Sequence, residues 1–134
     1  MKKKMLALLV AVTLCMVLIA MPFSASAASS VSYTLNGYRC TGNLSMGQNS
    51  VQKAYATATT GFATQASEVT ARAILYYGYA DFETYVYATE GYASPGSYAT
   101  STATSPYYAS VPLSATGTHH VSYVSGTWTD YTSI

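Results

Sequence analysis

The sequence predicts an all-β fold, a single antiparallel β-sandwich or small barrel of about seven to eight short strands. Three observations carry that prediction. Apolar residues recur with a period of two, most clearly in "SEVTARAILYYGYA", Ser67 to Ala80. There Val69, Ala71, Ala73, Leu75, Tyr77 and Tyr79 fall on one face, with Glu68, Thr70, Arg72 and Ile74 on the other. Glycine and proline punctuate the chain at short intervals, and the residues between them are the tyrosine, threonine and valine that suit a pleated surface.

The chain opens with an export signal. Lys2, Lys3 and Lys4 form a basic start, Met5 to Met21 an apolar run, and Pro22 breaks that run before Ala25-Ser26-Ala27. This order predicts a secretory signal peptide over residues 1–27, cleaved after Ala27, and a secreted, extracellular protein of the Gram-positive type. The apolar run falls short of the roughly 20 residues that a membrane span requires, so no span is expected in the mature form. Cys15 lies inside the run as filler, because the large Leu14 before it does not suit lipid modification. Residues 28–134 are left as one domain.

Within that domain the period-two pattern places strands over Val31–Tyr38, Val51–Thr60, the segment from Ser67, Phe82–Thr89, Ser97–Thr104, Tyr107–Leu113, Thr118–Ser125 and Thr127–Thr132. A helix competes for the segment from Ser67, since alanine, glutamate and arginine favour one. Tyr76-Tyr77-Gly78-Tyr79 tips the balance to strand. Asn36-Gly37 reads as a tight hairpin turn or a bulge, and "GYASPGSY" as a turn. Pro95, Pro106 and Pro112, with the few acids, are the main protection for sheet edges, so self-association through an edge is expected.

Charge narrows the partners. Charged residues make up 8% of the chain, against about a quarter in a typical globular domain. Once the leader is removed, the charges are Arg39, Lys53, Glu68, Arg72, Asp81, Glu83, Glu90 and Asp130. No basic stripe exists among them, which argues against nucleic acid and anionic membrane. Hydroxyl replaces charge, with 14 tyrosines beside abundant threonine and serine. A glycosylated stalk would have more proline and fewer aromatics, so a folded domain is the better reading. Only Cys40 follows the leader, so no internal disulfide can form. It is read as a small buried apolar side chain, with an intermolecular bridge as the alternative.

Catalytic and cofactor motifs are missing from the sequence: no G-x-S-x-G, H-E-x-x-H, C-x-x-C or phosphate-binding glycine loop occurs. Asp81 and Glu83, two residues apart, are assigned to solubility at an edge rather than to glycoside chemistry. His119 and His120 are weak metal candidates, because neighbours in a strand point to opposite faces. His119 shares its face with Val121 and Tyr123, so it is expected in the core and His120 in solvent. The buried ring should titrate below the ordinary imidazole value of about 6.5. Thr57/Thr59 and Thr100/Thr102/Thr104 form two short ladders that resemble the threonine arrays of ice-binding proteins, with fewer rungs than such arrays use.

The piece "THHVSYVSGTW" resembles segments of lactococcin-type secreted bacteriocins, which are small exported β-sandwich proteins. The likeness covers about a tenth of the mature chain, differs in order and spacing, and carries over no residue roles. The expected function is a non-catalytic extracellular binding or adhesion module. Tyr92, Tyr98, Tyr107 and Tyr108 would contact a cell-wall glycan or a surface protein, with no cofactor. The alternative is a bacteriocin-like toxin acting on a competitor's envelope, and a hydrolase comes third.

Overall fold

The computed structural model describes residues 26–80 and 83–134, and the leader assigned to residues 1–27 falls almost wholly outside them. Among the described residues the structure is all-β, with eight strands and no helix: β1 Ala27–Leu35, β2 Tyr38–Gln48, β3 Ala54–Ala66, β4 Glu68–Gly78, β5 Thr84–Ala93, β6 Gly96–Thr104, β7 Val111–Tyr123 and β8 Gly126–Ser133. They form two four-stranded antiparallel sheets, in the orders β1-β2-β3-β6 and β5-β4-β7-β8. These are called the first and second sheets.

The composition follows from alternation. Along β3 the residues Ala54, Ala56 and Ala58 point inward and are fully buried, while Tyr55, Thr57 and Thr59 point outward. The same rule puts Val69, Ala71, Ala73, Leu75 and Tyr77 of β4 inside, as the sequence predicts. Hydroxyls therefore cover the outside and alanines line the inside, and small inner side chains let the two sheets lie close together. Leu44, Leu75, Val69 and Val121 supply bulk, each contributing about 1.5–3 kcal/mol by burial. Cys40 is fully buried and free; burial pushes its thiol pKa up, with the Leu35 backbone hydrogen bond partly opposing.

Two strand boundaries depart from the sequence reading in an instructive way. The strand expected over Val31–Tyr38 is interrupted by a two-residue turn at Asn36-Gly37, both with positive φ, so that Leu35 faces Tyr38. Asn-Gly is suited to that hairpin turn. β2, for which the sequence predicts no strand beyond Tyr38, then runs back through "YRCTGNLSMGQ" and pairs with β1 and β3 along its length. The strand expected over Tyr107–Leu113 begins only at Val111: Ser105–Ser110 forms a loop, and one long strand runs from Val111 to Tyr123. The extra residue, Leu113, bulges between Ser114 opposite Tyr76 and Pro112 opposite Tyr77. Pro112 is tolerated because the chain from β8 to Ile134 pairs with β7 only from Ala115 onward, leaving that end of β7 as an edge. Remaining boundaries shift by a few residues, with Phe82 and Asp81 outside the described residues.

At the β7–β8 turn, Val124 holds φ at 51° and is among the most exposed residues of the chain. A β-branched residue is strained in that left-handed region. Val124→Gly is therefore expected to raise the melting temperature by several degrees, a gain of about 1 kcal/mol. A lower melting temperature for this variant in calorimetry would contradict the strain argument.

Candidate functional site

The loops divide between two ends of the sandwich. One end carries the β2–β3, β4–β5 and β6–β7 connections; the other carries the turns at Asn36-Gly37, Ser67, Ser94-Pro95 and Val124-Ser125. Tyr107 and Tyr108 lie at the first end, in the β6–β7 loop. Tyr92 lies near the second end on the outer face of the second sheet, opposite Thr70. Tyr98 lies opposite Gly61 on the outer face of the first sheet. All four are exposed, but only Tyr107 and Tyr108 are brought together.

The first end carries a cluster of four tyrosines, Tyr77, Tyr79, Tyr85 and Tyr107. The Tyr107 ring stacks on Tyr79 at 4.7 Å between centroids and 16° between planes, and Tyr77 stacks on Tyr85 at 5.7 Å beneath them. Tyr107 also meets Tyr77 and Tyr85 at 6.5 and 6.1 Å. Lys53 from the β2–β3 loop sits 4.5 Å over the Tyr108 ring. Beside this cluster a groove of about 360 Å³ is lined by Gly78, Tyr79, Ala80, Glu83, Ala109, Val111 and Leu113.

Hydrogen bonds hold these loops in shape. The buried Ser110 hydroxyl donates to the Tyr107 carbonyl at 2.9 Å and accepts from the Ala54 amide at 2.9 Å, tying the tyrosine loop to β3. Ser105 Oγ accepts from the Tyr107 amide at 3.1 Å, and Gln48 Nε2 donates to the Ser110 carbonyl at 3.0 Å. Asn49 Oδ1 accepts from the Val51 and Lys53 amides, fixing the loop that carries Lys53. Rings ordered before a ligand arrives lose less freedom when one binds. Tyr79 is the member of this site that sequence reading missed: the alternation put it inward with Tyr77, whereas β4 ends at Gly78 and releases it.

The two histidines are elsewhere and do not act together. His119 is fully buried and His120 half-buried on the outer face of the second sheet, the facing that period two predicts. Thr60 Oγ1 lies 2.7 Å from the Thr70 carbonyl and 3.0 Å from His119 Nδ1. A carbonyl only accepts, so the single hydroxyl proton goes to Thr70 and Nδ1–H donates to Thr60. Nε2 is left with its lone pair and accepts from Thr132 Oγ1 at 2.9 Å. His119 is thus a neutral ring bridging β3 of one sheet and β8 of the other, stacked 6.5 Å from Trp128. Gly42 and Gly117 make room for it. Among the described residues no three of His, Cys, Asp and Glu are grouped so as to hold a metal ion.

Burial lowers the His119 pKa from its ordinary value, with the Asp130 charge and the Thr59 backbone opposing in part. The unfolded chain takes up a proton below about 6.5 while the folded chain resists it. The stability that neutral His119 contributes is therefore complete above that pH. It is lost as pH falls through the lowered folded value. Denaturation midpoints measured from pH 8 to pH 4 should drop on the acid side in the native chain and drop less in His119→Gln. Identical slopes in the two proteins would contradict this.

No protein-family model matches the chain, and no curated protein is detectably similar to it.

Proposed function

We propose that the chain is an extracellular, non-catalytic binding module whose ligand, a cell-wall glycan or a surface protein, docks on the tyrosine end of the sandwich. The observation that carries this reading is the stacked Tyr79–Tyr107 pair beside Tyr108 and an apolar groove, held by loops whose polar groups are tied back to the sheets. Amphipathic rings that stay partly exposed on a rigid support suit recognition more than core packing does. The buried, fully engaged His119 supports a non-catalytic reading, since it cannot touch a substrate. The export signal of the leader supports an extracellular site of action.

The test is retention on a glycan and cell-wall array by the protein without its leader. Tyr107→Ala with Tyr108→Ala should reduce retention about tenfold or more. Binding should largely survive high salt, since the rings supply the contact and Lys53 and Glu83 are the charged groups described beside them. Retention unchanged by the double substitution would overturn the assignment.

A further inference from the structure

The outer face of the first sheet is a second surface with a chemistry of its own. β1, β2, β3 and β6 together carry one charged residue, Arg39, whereas Glu68, Arg72, Glu90 and Asp130 all belong to the second sheet. Register aligns what the sequence shows only as two separate ladders. Thr59 stands opposite Thr100 and Thr57 opposite Thr102, with Asn43 and Ser45 of β2 and Ser30 of β1 continuing the rows. Neighbours in a row are about 4.8 Å apart and rows about 6.8 Å apart.

The hydroxyls are already ordered. Thr57 and Thr102 share a hydrogen bond at 2.9 Å, Asn43 Nδ2 donates to Thr59 Oγ1 at 3.5 Å, and Thr100 Oγ1 donates to the Ala58 carbonyl at 3.4 Å. An aromatic ring stands at one end of the track. Tyr98 is exposed beside Gly61, where the Thr41 hydroxyl takes the space a side chain would fill, and these residues border a recess of about 320 Å³ with Arg39. A further recess of about 350 Å³ lies over Asn43 and Ser45, between Ser30 and Thr57.

From this we infer that the β3–β6 face binds a linear, uncharged polysaccharide, laid along the threonine rows with one sugar ring on Tyr98. The apolar C–H face of a sugar suits the electron-rich face of Tyr98. Its hydroxyls exchange hydrogen bonds with Thr59, Thr100, Thr57 and Thr102, which can both donate and accept. An anionic polymer would find one cation, Arg39, at the margin, and a cationic polymer no carboxylate on this sheet. The lack of charge thus selects a neutral chain. Each hydroxyl contact contributes little by itself, so a repeating polymer rather than a single sugar is the ligand that gains enough. This inference does not rest on the tyrosine end.

The experiment is depletion of the leaderless protein by insoluble cellulose, chitin and amylose, each in low and in molar salt, with carboxymethyl cellulose as the charged comparison. Retention on a neutral polymer, insensitive to salt, is expected. Tyr98→Ala should weaken it about tenfold, and the pair Thr59→Val with Thr100→Val, which keeps shape and strand preference, should weaken it similarly. Tyr131→Ala, which removes a likewise exposed ring from β8 of the second sheet, should leave this retention unchanged, which ties the binding to the first sheet. Melting curves show that each variant is folded. No retention on any neutral polymer, retention only on the charged one, or retention indifferent to Tyr98 and the threonine pair would overturn the inference. So would slowed ice growth without polysaccharide binding, which would turn the threonine rows toward ordered water.

Discussion

Gly91→Ala is expected to lose about 3 kcal/mol or more and to melt at least about 10 °C below the native chain. A Cβ on Gly91 would lie 1.9 Å from the Thr100 carbonyl oxygen and 2.9 Å from the carbon that carries it. Both atoms are backbone. Neither can turn aside as a side chain would, and Thr100 is already paired with Thr59 on the far side of β6. The methyl can be accommodated only by parting β5 from β6, and that also breaks the 2.6 Å hydrogen bond between Thr89 and Ser101 hydroxyls. Gly78→Ala is the control, because its nearest neighbours, the Leu113 methyls, stand at 3.8 and 3.9 Å. It should melt within a few degrees of the native protein. Equal melting of Gly91→Ala and Gly78→Ala would show that the two sheets do not meet along β5 and β6.

His119→Ala is the second large effect, with an expected loss of about 3 kcal/mol. The substitution leaves a cavity beside Trp128 and removes the acceptor of Thr132 and the donor to Thr60. Gly42→Ala alone should also destabilise, by about 1–3 kcal/mol, because its Cβ would sit 2.4 Å from His119 Cγ. Once the ring is gone that clash is gone, and the new methyl fills part of the space. The double variant should therefore be clearly more stable than the sum of the two losses allows. Additive losses in chemical denaturation would contradict the packing of His119 against Gly42.

The fold is legible wherever the alternation runs without a glycine on the inner face. β4 spells its inner face in Val69, Ala71, Ala73, Leu75 and Tyr77 without interruption, and Ala99 and Ala103 do the same for β6. β2 was not legible, because Gly42 and Gly47 read locally as punctuation. The need for Gly42 is tertiary: it faces a ring from the other sheet. A usable signal was present, since Cys40, Leu44 and Met46 share one face at even spacing and all are buried. Tyr107, Tyr108 and Val111 all look suited to a sheet, yet only Val111 enters β7 and the two tyrosines stay in the β6–β7 loop. The bonds that make it a loop run from Ser110 and Gln48 to distant partners. His119 was correctly placed in the core, but its partners Thr60 and Thr132 come from other strands and leave no trace in spacing.

For the candidate site, exposure of tyrosine was predictable and convergence was not. Tyr92, Tyr98 and the Tyr107–Tyr108 pair are equally plausible in the sequence, yet they stand on three different surfaces. Only the return of β4 and β7 at the same end places Tyr79 on Tyr107. The two threonine ladders show the converse: each is short by itself, and antiparallel pairing of β3 with β6 joins them into rows.

The central proposal is that ligands dock on the tyrosine end, and the most direct test is residue-resolved NMR of residues 28–134 titrated with a fragment retained on the array. The account predicts shift changes centred on Tyr79, Tyr107, Tyr108, Ala109 and Val111, saturating together with one affinity. Changes that leave these five residues untouched while the fragment binds elsewhere would contradict it.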